Sequence, residues 1–351
     1  MFRLFDPLRT TVALALLIAG LWWARTGDYF GREILAEMAV FAIAAMSLDL
    51  LAGFPRLVSM GHGLFVGIGA YAYTVATVLA GWPPAVAFPL AVAAGAGAGL
   101  LVGLATVRAR DIFYIMATLA FGQMGYVWVV RSGELGGDDG LAGAPRPDLS
   151  ALGLDLSDSA TFATLLVSVA ALVYLLLGRL LASGFGRTLL AIGQNERRVR
   201  ALGIAPGPYK VAATTLSGAV AGLAGVLAAM HSMYVSPELF HWTWSGEALI
   251  MTILGGIGSL VGPALGAAAV VWLKYAVSAW TEHWGLFLGL FLILAVWTGG
   301  QGLYGYLERL RRWSATVRDA RGREHAGGDR AHQAVRGPHR HRPGVAPGDA
   351  G

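Results

Sequence analysis

Apolar runs of about twenty residues follow one another along most of this chain and constrain its fold more than any other feature. The runs lie at 11–26, 34–53, 57–80, 85–107, 112–131, 160–182, 211–231, 246–260, 262–281 and 285–305. Most of them reach the roughly 20 residues that a helix needs to cross a bilayer. A chain that is 56% hydrophobic and 13% charged cannot cover so much apolar surface in water. The pattern predicts an all-α, polytopic integral membrane protein with about ten transmembrane helices.

The distribution of basic residues predicts how these helices are oriented, because cytoplasmic connections carry an excess of Lys and Arg. The basic clusters are Arg3 with Arg9, Arg108 with Arg110, residues 183–210 and the C-terminal tail. Residues 132–158 instead carry six acids and one Arg. An even number of crossings, with both termini in the cytoplasm and 132–158 as an extracytoplasmic loop, satisfies every one of these positions. The short run 246–260 either spans the membrane or re-enters it.

Charge also separates the tail from the membrane body. Through residue 305 the chain has 16 Lys and Arg against 16 Asp and Glu, whereas residues 306–351 carry ten Arg against five acids. The tail has hardly any large apolar residue after Trp313, so it cannot bury enough surface to offset its conformational entropy. We therefore predict a disordered basic cytoplasmic tail whose charge is solvated and does not bind nucleic acid. Residues 1–32 are expected to hold a first transmembrane helix with its connection, and 33–305 the main transmembrane domain.

Two segments are unusually rich in glycine for membrane helices. Residues 59–71 hold four glycines and a histidine, and residues 255–266 hold five glycines and a proline. Glycine costs about 1 kcal/mol relative to alanine inside a helix, and proline about 3. Each segment therefore indicates either close helix packing or a helix broken at membrane depth. Their placement on either side of the midpoint favours two related halves with broken helices along a substrate path. The candidate path residues are Ser59, Gly61, His62, Gly63, Gly255, Gly256 and Gly258.

Four ionisable residues within the apolar runs carry competing interpretations, since a charge at the bilayer centre costs at least ~2.5 kcal/mol. Asp49 is expected either near the cytoplasmic interface, beside Arg56, or on a substrate path. His62 either lines that path or packs through a hydrogen bond. Glu247 is an interfacial anchor or a path residue. Lys274 is expected to be structural, with its stem extended toward the interface.

Motifs for catalysis are absent from the sequence. It contains no G-x-S-x-G, no H-E-x-x-H and no phosphate-binding G-x-x-x-x-G-K-[ST], and it has no cysteine. We therefore expect no metal, no cofactor and no catalytic residue, and an embedded enzyme is unsupported. If ATP drives this protein, the nucleotide binds to another chain. The competing class is a self-sufficient secondary carrier in which Asp49, His62 or Glu247 couples to protons.

The polar stretch 183–210 interrupts the apolar pattern, and we predict that it lies in water. Its cationic side chains are Arg187, Arg197, Arg198, Arg200 and Lys210. Apolar residues recur within it at spacings that place them on one face of a helix, namely Leu189, Ile192, Val199 and Leu202. Gly203 can supply a left-handed cap, and Pro206 ends the pattern. The stretch therefore predicts a short amphipathic helix whose narrow stripe suits a protein socket better than lipid headgroups.

Six blocks of the sequence carry a resemblance to a known family. They are LDLLAGFPRLVSMGHGLFVGIGAYA (48–72), FYIMATLAFGQM (113–124), GGDDGLAGAPRP (136–147), GRTLLAIGQNERRVRALGIAPGPYK (186–210), LSGAVAGLAGVLAAM (216–230) and SGEALIMTILGGIGSLVGPALGA (245–267). Over residues 33–305 the chain resembles the permease subunits of ATP-binding cassette importers for branched-chain amino acids, in particular the LivM-type member of the permease pair. It departs from the family pattern at Phe54-Pro55-Arg56, where a smaller glycine-containing turn is common, and at Gly193, where a charged residue often stands.

The resemblance implies an importer of the bacterial inner membrane whose energy comes from partner chains. The helix 187–203 would be the coupling helix, seated in a groove of a cytoplasmic ATPase subunit. Partners would be two such ATPases, a homologous second permease subunit, membrane lipid and an extracytoplasmic substrate-binding protein that docks at 132–158. The coupling residues would be Gly186, Arg187, Asn195, Glu196, Arg197 and Gly203. Leucine, isoleucine and valine are the default substrates, while urea, short amides and other amino acids are variants within the family.

Overall fold

The computed structural model describes residues 7–148, 150, 155–281, 283, 285–287, 289–290, 293 and 302–311. Regular structure within them is helical apart from a two-residue β ladder, which confirms the all-α prediction for this part of the chain. The long helices are α1 (Pro7–Thr26), α2 (Tyr29–Ala52), α3 (His62–Thr74), α4 (Pro84–Thr106), α5 (Asp111–Arg131), α6 (Ser159–Ala182), α7 (Gly184–Ala201), α8 (Pro206–Ser232), α9 (Trp242–Gly255) and α10 (Val261–Ser278).

The shorter elements lie at the helix ends and in the connections. They are a π turn (Val75–Leu79), two 3-10 turns (Gly133–Leu135 and Pro237–Phe240), β1 (Leu141–Ala142) and β2 (Tyr234–Val235). Contacts divide the chain into one compact unit, Met1–Gly305, and a second unit, Tyr306–Gly351. In the second unit the described residues, 306–311, are helical. The disorder predicted for the tail concerns residues that lie mostly outside the described ones.

Eight described helices are long and apolar enough to cross a membrane: α1 to α6, α8 and α10, with α3 extended by its π turn. The helix α9 has 14 residues. At 1.5 Å per residue it covers only about 21 Å, short of the roughly 30 Å of a hydrocarbon core. The apolar run 285–305 lies largely outside the described residues. The total of ten crossings and the cytoplasmic position of both termini therefore stay predictions.

The two ends of the helix bundle are distinguished by their connections. Residues 132–158 join α5 to α6 at the end called here the loop face, and α7 joins α6 to α8 at the opposite end, the α7 face. The antiparallel pairing of Leu141 with Val235 ties the loop to the end of α8. Arg146 adds a second tie, because its Nε donates to the carbonyl of Met230 at 3.2 Å. The loop is thus anchored to the bundle.

The helix α2 forms the centre of the bundle, and from Ile34 to Ala52 all of its residues except Glu37 are buried. Elsewhere the helices approach one another through glycine. A Cβ added to Gly69 would collide with the backbone of Gly222, and one added to Gly225 would collide with the carbonyl of Val66. Small residues permit such close approach, which is a main source of stability between membrane helices. Part of the first glycine cluster therefore serves helix packing.

Both glycine clusters also adjoin non-helical backbone. Residues 53–61 between α2 and α3 are not helical, and α3 begins only at His62. The second break, residues 256–260, separates α9 from α10 and has positive φ at Gly256 (117°), Gly258 (80°) and Leu260 (61°). The stretch 233–241 before α9 is not α-helical and holds β2 and the 3-10 turn Pro237–Phe240. The backbone on both sides of α9 is thus not α-helical. That the two halves of the chain are related by an internal repeat stays a prediction.

Candidate functional site

The helix α7 consists of two helical segments joined at Asn195. Asn195 has extended backbone (φ −160°, ψ 95°), and its Oδ1 accepts a hydrogen bond from the Arg198 amide at 3.1 Å, so it caps the second segment. At the end of that segment Gly203 has φ 82°, and the Ile204 amide donates to the carbonyl of Val199 at 3.3 Å. This is a Schellman cap. The left-handed cap predicted at Gly203 is confirmed, whereas the interruption at Asn195 was not predicted.

The apolar stripe of α7 packs against the chain's own transmembrane body. Leu189, Ile192 and Val199 are 0%, 4% and 3% exposed. Leu202 was predicted to share this face, and that prediction is wrong, because Leu202 is 79% exposed. The helix ends at Leu202, which is its C-cap, so helical periodicity no longer sets the direction of the side chain. The stripe therefore meets protein of the same chain and is not available to lipid or to a partner.

Two glycines let α7 lie close to its supports. Gly186 lies against the backbone of Leu181, and Gly193 lies against the carbonyl of Phe54, so that a Cβ at either position would collide. The two departures from the family pattern are therefore in contact with each other. The turn that begins at Phe54 occupies the space in which a side chain at position 193 would lie.

The single acid of α7, Glu196, joins three parts of the chain at the α7 face. Its Oε1 lies 3.2 Å from Arg110 and 2.6 Å from Arg200, and its Oε2 lies 2.9 Å from Lys210. Burial raises the pKa of Glu196, but the hydrogen bonds and charges of these cations outweigh burial and hold the pKa below its usual value. Lys210 was expected in water, which is wrong: it lies in α8 and is 5% exposed. Its pairing with Glu196 offsets the loss of hydration.

The remaining surface of α7 is cationic. Arg187, Asn195, Arg197, Arg198 and Gly203 are exposed, whereas Gly186 is buried and Glu196 points to its own chain. The predicted coupling residues are thus divided between the two faces. Arg56, on the turn against which α7 packs, is also exposed. The face that a partner could reach therefore combines several arginines with no free carboxylate from α7.

Asp49 lies against the turn between α9 and α10. Its side chain is 0% exposed, whereas Arg56 is exposed, and its position near the cytoplasmic interface or on a substrate path stays a prediction. Its Oδ1 accepts from the amide of Gly258 at 2.6 Å, and its Oδ2 accepts from the amide of Leu260 at 3.0 Å. A Cβ on Gly53 would collide with the backbone of Gly258. The end of α2 and the turn between α9 and α10 are therefore held together by direct contact and by one carboxylate.

His62 is fully buried between α2, α3 and α8. Its Nε2 lies 2.9 Å from Ser47 Oγ and 3.2 Å from Ser217 Oγ. Ser47 donates its hydroxyl proton to the carbonyl of Ala44, and Ser217 donates its own to the carbonyl of Ser47. Both hydroxyl oxygens are therefore acceptors toward His62, which assigns the ring proton to Nε2. This arrangement is that of a hydrogen-bonded packing residue.

The other candidate path residues also lie within the packed chain. Ser59 is 0% exposed and its Oγ accepts from the amide of Gly61 at 3.3 Å. The amide of Gly63 donates to Ser245 Oγ at 2.8 Å. Of the seven candidates only Gly258 is partly exposed. Their role in translocation stays a proposal, since burial within one chain gives them packing and capping functions first.

One intramembrane pair was missed from the sequence. Lys274 Nζ donates to Glu37 Oε1 at 3.1 Å, and Tyr275 Oη donates to Glu37 Oε2 at 2.5 Å. Lys274 is thus structural as expected, but it pairs with an acid of α2. The signal in the sequence was Glu37, an acid inside the apolar run 34–53 that needs a cationic partner. Glu247 is partly buried on α9.

Within the described residues there is no cluster of His, Asp or Glu suited to a metal. An apolar cavity of about 260 Å³ lies between α1, α2, α6 and α10 and is lined almost entirely by aliphatic side chains. Long membrane helices, two internal breaks and an amphipathic helix with an exposed cationic face are features of a membrane transport component. That is the class of protein which the fold and the site define.

Comparison with known proteins identifies the family. Residues 32–296 match the family described as branched-chain amino acid transport system / permease component. The LivM high-affinity branched-chain amino acid permease proteins of Salmonella typhimurium and Escherichia coli are each 30% identical over 314 residues, covering 83% of this chain and 73% of the relative. The autoinducer 2 import system permease protein LsrC of Yersinia enterocolitica is 29% identical over 271 residues, covering 68% and 72%.

No solved structure matches this chain significantly. The chain belongs to the family of branched-chain amino acid transport permease components. It is accordingly a multi-pass permease of the inner membrane.

Proposed function

We propose that this chain is one of two permease subunits in an ATP-driven importer for branched-chain amino acids. Two cytoplasmic ATPase subunits, a homologous second permease subunit and an extracytoplasmic substrate-binding protein complete the assembly. The observation that carries the proposal is the exposed cationic face of α7. Because the sequence has no phosphate-binding loop, the nucleotide must bind to a partner, and α7 offers that partner a surface.

The orientation of α7 supports docking to protein. A helix that lies on a bilayer inserts its apolar face among the lipids. Here Leu189, Ile192 and Val199 face the bundle. What remains outside is a row of arginines followed by the exposed Leu202. We infer that the ATPase presents an acidic groove with a small apolar socket at the end of the helix, since complementary charge guides such association.

The support of α7 suits the transmission of force. The helix is fixed along its length by its buried stripe, by the contact of Gly193 with Phe54, and by the ion pairs of Glu196. Because both segments of α7 are held in this way, we infer that a push on the outer face displaces the elements beneath it. In this proposal ATP-driven closure of the ATPase pair supplies that push.

The loop face is the proposed dock of the substrate-binding protein. Glu134, Asp138 and Asp139 are exposed there. The loop that carries them is anchored to α8 through the β1–β2 ladder and through Arg146. An acidic and well-anchored surface fits a partner with basic side chains around its ligand site.

The names of the relatives support the substrate only by similarity. The LivM proteins are named for branched-chain amino acids and LsrC for autoinducer 2. We propose leucine, isoleucine and valine, with urea, short amides or other amino acids as alternatives within the family. A self-sufficient carrier is less well supported, because both oxygens of Asp49 are engaged by backbone amides and His62 is held by two serines.

The test is reconstitution of the full assembly in proteoliposomes with labelled leucine. We expect uptake only when both permeases, the ATPases, the binding protein and hydrolysable ATP are present. A non-hydrolysable ATP analogue is the matched control. Concentrative uptake by this chain alone under a proton or sodium gradient would overturn the proposal. Competition by unlabelled isoleucine, urea and acetamide then ranks the substrates.

A further inference from the structure

We propose that Asp49 is a positioning residue that passes movement of α7 to the turn between α9 and α10. This inference rests on the proposed function and concerns how the two faces of the protein communicate. Helix packing alone does not require a carboxylate at this buried position, so Asp49 needs a separate explanation.

A buried carboxylate is costly, so the contacts of Asp49 are informative. Both of its oxygens accept backbone amides of one turn, from Gly258 at 2.6 Å and from Leu260 at 3.0 Å. Arg9 lies near enough to act on it electrostatically. Leu260 has φ 61°, which is unfavourable for a residue with a bulky side chain. The carboxylate therefore holds a strained turn in one conformation, and strained turns are typical of segments that switch.

The same end of α2 supports α7. Gly193 lies against the carbonyl of Phe54, and the preceding residue, Gly53, lies against the backbone of Gly258. The amide of Gly53 also donates to the carbonyl of Asp49 at 2.8 Å. Two consecutive residues thus contact α7 on one side and the turn on the other. A displacement of α7 reaches the turn through backbone atoms in van der Waals contact.

The turn follows directly on α9, which is short and has non-α-helical backbone at both ends. At its other end α9 is preceded by Phe240. The ring of Phe240 packs against Gly67 of α3 and occupies the space that a Cβ there would need. That stretch continues back to β2, which pairs with β1 of the loop face. Gly256 and Gly258 have positive φ, and glycine can change its backbone dihedral angles at these positions with little steric cost. The helix α9 is therefore built to shift as a rigid rod between the two faces.

The first test uses the complete assembly in proteoliposomes and measures uptake and ATP hydrolysis on the same sample. In Asp49→Asn one acceptor oxygen becomes an NH₂ group that faces a backbone donor, so one of the two bonds to the turn is lost. We expect substrate taken up per ATP to fall about tenfold, within the usual range of coupling strengths, while assembly and hydrolysis persist. Asp28→Asn is the matched control, because Asp28 caps the opposite end of α2 through the Gly31 amide. That control should keep the wild-type ratio.

A second variant leaves Asp49 in place and disturbs the contact between α7 and the end of α2. Gly193→Ala places a Cβ against the Phe54 carbonyl, whereas Gly184→Ala in the same helix places one in open space, about 4 Å from the nearest atom. We expect Gly193→Ala to uncouple uptake from hydrolysis and Gly184→Ala to leave the ratio unchanged. If Asp49→Asn does not assemble, the comparison of Gly193→Ala with Gly184→Ala still tests whether movement of α7 reaches the turn.

A readout of α9 itself separates positioning from mere stability. The chain has no cysteine, and Thr243 near the start of α9 is exposed, so Thr243→Cys provides a unique probe for iodoacetamide. The labelling rate should change on ATP binding in the wild-type background and stay constant with Asp49→Asn. Equal uptake per ATP and an equal ATP-dependent labelling change in both backgrounds would overturn the inference. Loss of ATP-driven uptake in the wild-type assembly would instead reject the proposed function.

Discussion

Glu196 of α7 accepts a hydrogen bond from the buried Lys210 of α8 at 2.9 Å. From sequence, Glu196 was predicted to contact a partner and Lys210 was predicted to lie in water. They instead face each other within the same chain. Glu196 therefore holds α7 in place, and in the proposed assembly direct contact with a partner falls to the arginines on the outer face.

The first prediction concerns Glu196→Gln. Loss of the charge leaves Lys210 buried without its ionic partner, so α7 should separate more often from the bundle. We expect hydrogen exchange of the amides in residues 184–204 to accelerate by about tenfold, which corresponds to about 1.4 kcal/mol. Glu134→Gln, an exposed acid of the loop face, is the control and should leave this exchange unchanged. Identical exchange in Glu196→Gln and wild type would show that the ion pairs do not hold α7.

The second prediction concerns Arg197→Ala. This side chain is exposed and points away from the bundle, so its loss should weaken ATPase association about three- to tenfold, with less salt dependence, and leave hydrogen exchange of α7 unaltered. Pull-down at two ionic strengths measures the effect. Arg179→Ala removes an exposed arginine at the end of α6 and should have no effect. Faster exchange of α7 without weaker association would place Arg197 in the internal support.

The third prediction concerns pH. The cations around Glu196 hold its pKa below the usual value of a glutamate, which is about 4.3. A group with a lowered pKa stabilises the folded state above its unfolded pKa and loses that contribution as pH falls through the folded pKa. After correction for intrinsic rates, hydrogen exchange of α7 should be constant from about pH 8 to 5 and rise below about pH 4. Glu196→Gln should remove this rise, and a rise that persists in the variant would have another source.

The fourth prediction concerns packing between α3 and α8. A Cβ on Gly225 collides with the carbonyl of Val66, whereas one on Gly97 in α4 meets nothing within 4 Å. Gly225→Ala should cost about 1–3 kcal/mol in the free energy of unfolding. Gly97→Ala should be neutral or gain up to about 1 kcal/mol through helix propensity. Unfolding in mixed detergent micelles compares them, and equal stability of the two variants would contradict the close contact.

The fifth prediction concerns topology. Asp139 is exposed on the loop face, and Ser183 is exposed where α7 begins. In this cysteine-free chain, Asp139→Cys should react with a membrane-impermeant maleimide in intact cells, because the loop is predicted to lie outside. Ser183→Cys should react only after the membrane is permeabilised. The reverse pattern would invert the orientation of the whole protein.

Several features of the fold could be predicted because their causes are local. Apolar runs of sufficient length placed eight spanning helices close to their observed bounds. Glycine marked the non-helical turn 256–260 between α9 and α10, since glycine destabilises a helix wherever it occurs. The cap at Gly203 followed from the tolerance of glycine for positive φ.

Other features depended on partners distant in the sequence. Periodicity placed Leu202 on the buried face, but the helix ends there and its side chain is exposed. For Asp49 the sequence offered Arg56 as a nearby partner. Its actual partners, the amides of Gly258 and Leu260, are separated from it by 209 and 211 residues. Backbone amides leave no compositional signal for such a contact.

The sequence by itself determined that this is a membrane protein, where most of its helices lie and that one amphipathic helix interrupts them, because hydropathy and backbone preference act on neighbouring residues. Only the tertiary structure decided which face of α7 remains free and that Glu196 and Asp49 are engaged within the chain. Those outcomes arise when segments far apart in sequence compete for the same hydrogen bonds and the same space. The physical reason is that burial requires every charge to find a partner, and the fold decides which one.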